Sequence, residues 1–436
     1  MTTKSKQDRH VTLLASLGST LEYFDFVIYG MMATYLSAVF FPPQNPASAT
    51  LQTFLVFAVG YFARPLGGTL IGIIGDRIGR KPAFLISTSL MACSTLLMAL
   101  LPNFETFGMV AVTLLVICRI LQGLSFGGEL PGAMTIVAEF SPRQRQGRKT
   151  SLVIASTSLG ALLASSVLYL LSATLSKEDI ISWGWRLPFL GGGILGLALL
   201  IARNTIQETP IFQAIQNQSG QHQSLLKALG AHKLSLLRGS ALTMFMAALI
   251  VTNLYFPYFI PKFFAYDIGD VYLGTTLSLV FLILVLPGIG MIADFLPKKT
   301  STLQWTCASY IVLSVPIFSL LSTGNTFVLF VFLMIQQIYI AMFSANFFPT
   351  LIRIFSPEVR YTGIALCYNL TWAGMATLPV HYTKLLDLYG KPWVVPIILS
   401  IIATLSLLAT RGIEESPVES LDNQKEDDSV KYDLIR

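Results

Sequence analysis

Twelve long apolar segments constrain the fold of this chain more than any other feature of its sequence. Each is long enough to cross a hydrocarbon layer of about 30 Å as a helix. Only 12% of the 436 residues are charged, whereas soluble domains average about 25%. We therefore predict an all-α polytopic membrane protein with twelve transmembrane helices, which cover residues 13–40, 51–74, 83–101, 107–139, 150–174, 186–203, 239–265, 272–293, 301–322, 326–354, 362–386 and 393–411.

Lysine and arginine are unevenly divided between the two sides of these segments. With the N-terminus placed inside, 22 of the 29 basic residues fall in inner segments and 5 in outer loops. Inner loops of membrane proteins are enriched in basic residues. The distribution therefore predicts that both termini are cytoplasmic, in a multi-pass protein of a bacterial inner (plasma) membrane.

Two motifs recur in the two halves of the chain. Residues 72–76 read G-I-I-G-D, and residues 290–294 read G-M-I-A-D. An F-S-P-x-x-R motif occupies residues 140–145 and again 355–360. Because transporters are commonly built from repeats, we expect two six-helix pseudo-repeat bundles. The predicted organisation is an N-terminal bundle over 1–203, a cytoplasmic linker over 204–238, a C-terminal bundle over 239–411 and a disordered cytoplasmic tail over 412–436.

The first apolar segment contains two carboxylates, Glu22 and Asp25. A charge near the middle of a bilayer costs about 2.5–3.5 kcal/mol on insertion scales, so such residues usually face a protein interior or a wet cavity. Helical spacing places both acids on one face with Gly18 and Tyr29. We interpret this face as the proton-handling side of a cavity, with Tyr29 as a substrate-binding candidate.

Two arginines, Arg64 and Arg119, lie at a similar depth when about 1.5 Å of rise is counted per residue. Gln122 follows Arg119 by one turn. One interpretation is a static buried ion-pair cluster with the two acids. The other, which we favour, is a proton and substrate site in which protonation of an acid frees an arginine for a substrate carboxylate.

Further polar residues extend the candidate site. Glu129 precedes Pro131 in the fourth segment and is either a second proton-coupling residue or a polar cap at a helix break; the sequence weights these equally. The C-terminal segments hold neutral polar and aromatic groups, which suit an uncharged part of a substrate or a quaternary ammonium. These substrate-binding candidates are Asn253, Tyr255, Gln336, Gln337, Tyr368, Asn369 and Trp372.

The repeated G-x-x-x-D motif sits beside basic residues at the inner ends of the second and eighth segments. Its recurrence argues against an ordinary basic loop. We interpret it as part of a charge latch that holds one conformation and releases in the other. The predicted cytoplasmic gate consists of Asp76, Arg77, Arg80, Glu139, Arg145, Asp294 and Arg360.

Several stretches resemble the metabolite:proton symporter branch of the major facilitator superfamily, which includes proline/betaine, α-ketoglutarate and citrate transporters. The carriers of this resemblance are G-D-R-I-G-R-K over 75–81, E-Y-F-D-F-V-I-Y-G over 22–30, R-P-L-G-G over 64–68, R-I-L-Q-G-L-S-F-G-G-E over 119–129 and E-T-P-I-F over 208–212. The resemblance implies a twelve-helix fold, rocker-switch alternating access and proton coupling through the acids of the first span. Residues 295–297 read F-L-P where a fuller copy of the motif carries Arg and Gly, which predicts a weaker second latch.

The leading hypothesis is a secondary active importer that couples protons to uptake of an organic acid or a zwitterionic osmolyte. Alternatives are an exporter or antiporter of the same fold, or a non-transporting membrane receptor. The fifth span reads S-L-G-A-L-L-A over 158–164 and lacks the Gly-Pro pair of drug/proton antiporters, and the buried charges argue against a receptor.

The sequence also argues against several other classes of function. It contains no nucleophile–base pairing, phosphate loop or metal-ligand spacing, so we expect no enzyme activity, cofactor or metal, and energy supplied by a proton gradient alone. The four cysteines lie singly in apolar segments and form no disulfide framework. The expected partners are a small solute, protons and lipid, without nucleic acid, and the expected functional unit is a monomer.

Overall fold

The protein, a computed structural model, is described over residues 3–41, 46–218, 230–296 and 298–413, and these residues form helices and no strands. Twelve helices correspond to the predicted spans. They are α1 (Thr3–Met31), α2 (Pro46–Arg77), α3 (Arg80–Ala99), α4 (Met109–Phe140), α5 (Gln146–Thr174), α6 (Arg186–Arg203), α7 (Lys233–Phe264), α8 (Ile268–Phe295), α9 (Lys299–Ser319), α10 (Thr326–Ile354), α11 (Arg360–Met375) and α12 (Val394–Thr410).

Ten helices in the described part of the chain are long and apolar enough to cross a membrane. The eleventh and twelfth predicted spans are not among these ten, and each has a local reason. The α12 helix is strongly apolar but has only 17 residues. The eleventh span breaks after Met375 and resumes as Leu378–Tyr389, with Pro379 in its first turn. The first span is also interrupted once, at Met32, and continues as Ala33–Phe40.

Several prolines lie inside the spans without interrupting the helices. Pro257 and Pro261 lie within the continuous α7, and Pro287 lies within α8. A proline removes one backbone hydrogen bond, and neighbouring helices in a membrane bundle can compensate for that loss. Pro131 likewise lies inside an unbroken α4, so the predicted helix break beside Glu129 is wrong.

The helix pairs repeat between the two halves. In the first half, α1 packs against α5, α2 against α4 and α3 against α6. In the second half, α7 packs against α11, α8 against α10 and α9 against α12. The halves meet where α5 contacts α8 and where α2 contacts α11.

Small residues permit these close approaches. A Cβ atom at Gly127 of α4 would overlap the backbone carbonyl of Arg64 in α2. A Cβ atom at Gly72 would lie 2.8 Å from Cα of Thr362 in α11. The first contact brings the two arginine-bearing helices together, and the second brings the two halves together.

The segment between the halves differs from the predicted linker in one respect. Pro210–Gln218 forms a short helix, and α7 already begins at Lys233, so the last residues of the predicted 204–238 linker belong to a span. Residues 219–229 and the predicted disordered tail from residue 414 onward lie outside the described residues.

Candidate functional site

Polar residues gather at two levels of the bundle. One level is the middle of the helices. The other is the end at which α2 meets α3, α4 meets α5 and α10 meets α11, which we call the basic end.

Asp25 is the centre of a buried hydrogen-bond chain at the middle level. Its Oδ2 accepts from Thr95 Oγ1 at 2.7 Å and from Gln122 Nε2 at 2.6 Å. Gln122 Oε1 in turn accepts from Arg119 Nη1 at 2.8 Å. The chain joins α1, α3 and α4, so the predicted neighbours Asp25, Gln122 and Arg119 are in one network.

Glu22 lies one turn from Asp25 but in different surroundings. Its side chain is buried, and its Oε1 has no hydrogen-bond partner among the described residues. It is close enough to Arg64, Glu129 and Arg203 for electrostatic interaction. Each acid therefore has one buried oxygen without a hydrogen-bond partner among the described residues, Glu22 Oε1 and Asp25 Oδ1, whereas Oδ2 of Asp25 is held from two sides.

The two midplane arginines rest on aromatic rings, and not on carboxylates. The guanidinium carbon of Arg64 is 4.0 Å from the centroid of Phe126, and that of Arg119 is 4.2 Å from the centroid of Tyr29. No described carboxylate lies within ion-pair distance of either arginine, although Glu22 is within electrostatic range of Arg64 and Asp25 of Arg119. The alternative of a static cluster of direct ion pairs is therefore not what the structure contains. The physical reason is the quadrupole of the rings, which attracts a cation without a formal charge.

Glu129 is paired with Arg203, the last residue of the predicted sixth span, which is not among the predicted site residues. Its Oε1 lies 2.5 Å from Arg203 Nη2, and its Oε2 accepts from Ser87 Oγ at 2.6 Å. Arg203 is fully buried at the end of α6, where it also donates to Thr88 and to the Leu14 carbonyl. Arg203 was missed because an arginine at the end of a span is indistinguishable from a topology signal.

Gly18, the small residue on the face of Glu22, has a packing role beside this pair. A Cβ atom at Gly18 would overlap the guanidinium of Arg203 and approach Glu129 Oε1 to 2.8 Å. The glycine in α1 thus leaves room for the ion pair between α4 and α6. This glycine is the signal in the sequence that points to a neighbouring large side chain.

The neutral amides of the second half belong to two separate contacts. Gln337 Nε2 donates to Asn253 Oδ1 and to Ser278 Oγ, both at 3.2 Å. Gln336 instead accepts from Tyr310 Oη at 3.2 Å, toward α9. The structure therefore joins Gln337 with Asn253 and places Gln336 in the packing of the second half.

The substrate-binding candidates of α11 also belong to separate contacts. Tyr368 and Trp372 face each other with ring centroids 5.9 Å apart, and Tyr368 is within electrostatic range of Arg64 and Glu22 in the other half. Asn369 donates to the Gly127 carbonyl of α4 at 2.7 Å and thereby ties the halves together. Tyr255 binds Thr383 beyond the break in the eleventh span, away from these groups.

At the basic end, a set of four residues that we call the first gate closes α2 and α4 against α11. It consists of Asp76, Arg80, Glu139 and Arg360. Asp76 accepts from the backbone N–H groups of Tyr361 and Thr362, at 3.1 and 2.8 Å. Both belong to the first turn of α11, where a carboxylate is favoured by the helix dipole.

Arg80 and Glu139 complete the first gate. Arg80 binds Asp76, lies 3.5 Å from Glu139 and donates to the Pro357 carbonyl of the other half at 2.6 Å. Glu139 also accepts from Arg360 Nη1 at 3.0 Å. The sequence reading placed Glu139 beside Asp76, and the structure brings both onto Arg80.

A second gate, formed by Asp294, Gln146 and Arg353, repeats this geometry between α8 and α5. Asp294 accepts from the backbone N–H groups of Gly147 and Arg148 in the first turn of α5, at 2.7 and 2.9 Å. Arg353 at the end of α10 donates to Gln146 Oε1 at 3.2 Å. The repeated G-x-x-x-D motif thus places an acid at the start of a helix in the opposite half twice.

Two predicted gate residues lie elsewhere. Arg145 is exposed and forms no contact with Asp76, so that part of the latch prediction is wrong. Its repeat counterpart Arg360 is buried because α11 begins against Glu139. Arg77 is exposed at the end of α2.

The segment after α6 supplies gate contacts that the sequence reading did not assign. Glu208 accepts from the backbone N–H groups of Arg80 and Lys81, each at 3.1 Å through a different oxygen. Thr209 donates to Glu139 Oε2 at 2.7 Å. The only signal was the E-T-P-I-F stretch, which by itself carries no indication of its partner.

The chain is similar in sequence to a known protein family and to individual known proteins. Residues 11–240, more than half of the chain, match the family described as sugar (and other) transporter. A citrate-proton symporter of Klebsiella pneumoniae is 30% identical over 401 residues, which cover 91% of this chain and 90% of that protein. A proline/betaine transporter of Salmonella typhimurium is 28% identical over 425 residues, which cover 94% and 84%.

The fold also matches solved structures. The major facilitator superfamily proton:xylose symporter XylE, bound to 6-bromo-6-deoxy-D-glucose, aligns with a TM-score of 0.77 at 18% identity. The alignment covers 93% of this chain and 95% of that chain. At this identity the likeness concerns the arrangement of the helices.

Proposed function

The chain belongs to the sugar (and other) transporter family of the major facilitator superfamily, and on that basis we propose that it is a proton-coupled symporter for uptake of a carboxylate-bearing metabolite. Its relatives are transporters and not enzymes. The proposed substrates are organic acids or zwitterionic osmolytes of the proline and betaine type.

The observation that carries the proposal is the state of the two midplane arginines. Among the described residues, Arg64 Nε and Arg119 Nε and Nη2 have no hydrogen-bond acceptor, although both side chains are at least 96% buried, with exposures of 4% and 0%. A buried cationic N–H group without an acceptor is costly. A substrate carboxylate would supply acceptors for these donors, and the planar guanidinium of an arginine matches the geometry of a carboxylate.

Proton coupling follows from the chain Asp25–Gln122–Arg119. While Asp25 is charged, it accepts from Gln122 and so orients the amide whose oxygen holds Arg119. A proton on Asp25 Oδ2 removes one acceptor and weakens the hold on Gln122, which changes how firmly Arg119 is fixed. Glu22, with an unused oxygen beside Arg64, is the second proton-coupling candidate. Glu129 is already fixed by Arg203, and we propose that its negative charge disfavours a second charge on Glu22 and so favours a proton there.

The remainder of the substrate faces the neutral half. Tyr368 and Trp372 present two neighbouring aromatic rings, and Tyr368 is within electrostatic range of Arg64. Aromatic faces bind quaternary ammonium groups, so a betaine-like zwitterion would place its carboxylate at the arginines and its ammonium at these rings. A second carboxylate in place of the ammonium would instead be poorly matched, which favours the zwitterion.

Alternating access would use the two gates. Both are closed in this structure, and Asn369 adds a contact between the halves near the middle level. With the basic end in the cytoplasm, as loop charges predict, this is a state closed to the cytoplasm. We propose a monomer with both termini cytoplasmic in a bacterial inner membrane, where a proton contributes about 2.3 kcal/mol per 100 mV of membrane potential.

Transport in proteoliposomes tests this function. The protein is reconstituted under an imposed inward pH gradient, and uptake of radiolabelled betaine, proline, citrate and α-ketoglutarate is measured. Wild-type protein should accumulate at least one carboxylate-bearing solute, and Asp25→Asn should abolish accumulation while retaining part of the exchange between preloaded and external solute. Thr95→Val is the matched control, because it removes one hydrogen bond to Asp25 and keeps the titrating group.

Three results would contradict the proposal. No accumulation of any panel member would reject carboxylate symport. Full pH-driven accumulation by Asp25→Asn would reject the coupling role of that acid. Equal loss of betaine and citrate uptake in Trp372→Ala would reject the assignment of the aromatic pair to an ammonium group.

A further inference from the structure

A groove of about 530 Å³ opens at the basic end between α1, α5 and α8. Its walls come from both halves of the protein, since Ile283 and Pro287 belong to α8 and the other lining residues to α1, α5 and the turn before α5. None of the midplane acids or arginines lines it. The groove is therefore separate from the proposed substrate site.

The mouth of the groove is strongly basic. Arg9, Arg145, Arg148 and Lys149 line it, and Asp8 is the only acid among the lining residues. Asp8 Oδ2 lies 3.4 Å from Lys149 Nζ and so compensates part of one charge. Arg145 and Arg148 are exposed. An anion at the mouth would meet a net positive surface.

The deeper part of the groove is uncharged and mostly apolar, with the hydroxyls of Ser16 and Ser156 among its lining groups. Its lining changes from the arginines at the start of α5 to Leu152 and Leu159, opposite Ile283 and Pro287. At about 1.5 Å of rise per residue, Leu159 lies about 20 Å along the chain direction from Arg145. Leu159 is 39% exposed within a membrane-spanning helix, which indicates that this side of the groove faces lipid.

We propose that this groove binds an anionic phospholipid. The phosphate lies between Arg145 and Arg148, and an acyl chain runs along Leu152 and Leu159 toward the middle of the bilayer. The order of basic mouth and apolar depth matches the order of headgroup and chain in a lipid. Basic pockets between transmembrane helices on the cytoplasmic side are known to suit such headgroups.

The position of the groove gives the lipid a structural consequence. Arg148 donates its backbone N–H to Asp294 in the second gate, so the mouth of the groove adjoins the contact between α5 and α8. A lipid seated there touches both halves at once. It would therefore stabilise the conformation in which α5 and α8 are together at the basic end.

Native mass spectrometry of the purified full chain tests the proposal. The probes are phosphatidylglycerol and phosphatidylcholine with identical acyl chains, and glycerol phosphate as a headgroup without chains. Wild-type protein should prefer phosphatidylglycerol, and Arg145→Gln/Arg148→Gln should weaken its binding by about 25-fold, at roughly fivefold per basic residue. Lys233→Gln/Arg411→Gln removes two exposed charges from the same end outside the groove and should change binding less than about threefold, as expected for screened surface charges.

A second variant tests the apolar part. Leu159→Trp should fill the chain-binding portion and weaken phosphatidylglycerol binding while the arginines remain. Thermal unfolding of each variant shows whether it is folded, and Arg145→Lys/Arg148→Lys should recover most of the binding.

Four outcomes would overturn the proposal. They are an equal loss in the two double glutamine variants, no loss in Arg145→Gln/Arg148→Gln, binding of glycerol phosphate as tight as that of the lipid, and unchanged lipid binding in Leu159→Trp. The first would indicate a general effect of surface charge. The third and fourth would indicate an anion site without a seat for the chain.

Discussion

The two gates have the same backbone geometry and different side-chain chemistry. In both, an aspartate at the end of one helix accepts two backbone N–H groups from the first turn of a helix in the other half. Around Asp76, the supporting side chains are charged, and Arg80 bridges Asp76, Glu139 and the Pro357 carbonyl. In the second gate, Arg353 donates to the neutral amide of Gln146, at a position where the first gate has the carboxylate of Glu139 beside Arg360.

At the middle level, too, one half of the protein supplies charged groups and the other half supplies neutral ones. The first half contains the acids and arginines of the candidate site and the buried Glu129–Arg203 pair. The second half meets them with the amides of Asn253 and Gln337 and the rings of Tyr368 and Trp372. A duplicated fold can therefore retain its backbone contacts while charge is concentrated in one copy, which then supplies the groups that respond to protons.

The largest effect is expected from a variant that leaves a buried charge in the first half unpaired. Arg203→Gln removes the partner of Glu129, and breaking a buried ion pair in this way costs about 3–5 kcal/mol. We expect a large fall in the unfolding temperature of the detergent-solubilised protein. Glu129→Gln/Arg203→Gln should recover much of the loss, because no charge is then left uncompensated.

The matched control lies in the neutral half. Gln336→Leu removes a single neutral hydrogen bond from Tyr310, for which about 1 kcal/mol is expected. If Gln336→Leu lowered the unfolding temperature as much as Arg203→Gln, the energetic distinction between the two halves would be wrong.

An intermediate effect is expected from Asp76→Asn in the first gate. The substitution removes a charged acceptor for the start of α11 and releases Arg80, and hydrogen bonds to charged groups contribute about 1.5–3 kcal/mol. The closed population at the basic end should therefore fall by about 10- to 100-fold relative to the open one, since 1.4 kcal/mol is tenfold. Distances between spin labels at the exposed Ile78 and Leu234 should lengthen, with turnover reduced and substrate binding retained.

The smallest effect is expected from Gln146→Glu, which gives the second gate an acid beside Arg353. A charged contact with Arg353 should replace a neutral one, whereas the hydrogen bond that Gln146 Nε2 donates to the Ala138 carbonyl is lost. We therefore expect less than about 1 kcal/mol of additional stability for the closed state. The labelled distance should therefore shorten, in the opposite direction to Asp76→Asn. If the distance between the labels lengthened in both variants, the two gates would not both stabilise the closed state.

Much of the fold was predictable because hydropathy is a local property. The twelve predicted spans match the observed helices to within a few residues at most boundaries. The larger differences are at α1, which begins at Thr3, at α7, which begins at Lys233, and at the eleventh span, which breaks after Met375. The repeated motif also marked matching positions for Asp76 and Asp294, and each of them accepts two backbone N–H groups from a helix in the other half.

The candidate site was predictable in its residues and not in its pairings. Asp25, Gln122 and Arg119 form one network as the spacing suggested. Arg64 and Arg119 were paired with acids in the prediction and rest on rings in the structure. Arg80, Arg203, Arg353 and Arg360 counted among the basic residues of the inner segments in the orientation argument, yet all four are buried.

The sequence by itself determined that the chain is a duplicated helical membrane protein with two acids in its first span. These features depend on local composition and on the repetition of short motifs. The tertiary structure decided which partner each charge has, and it brought Glu208 and Arg203 into positions that no local pattern specifies. The physical reason is that a buried charge takes its partner from whichever helix face packs against it, and that face is set by contacts far apart in the chain.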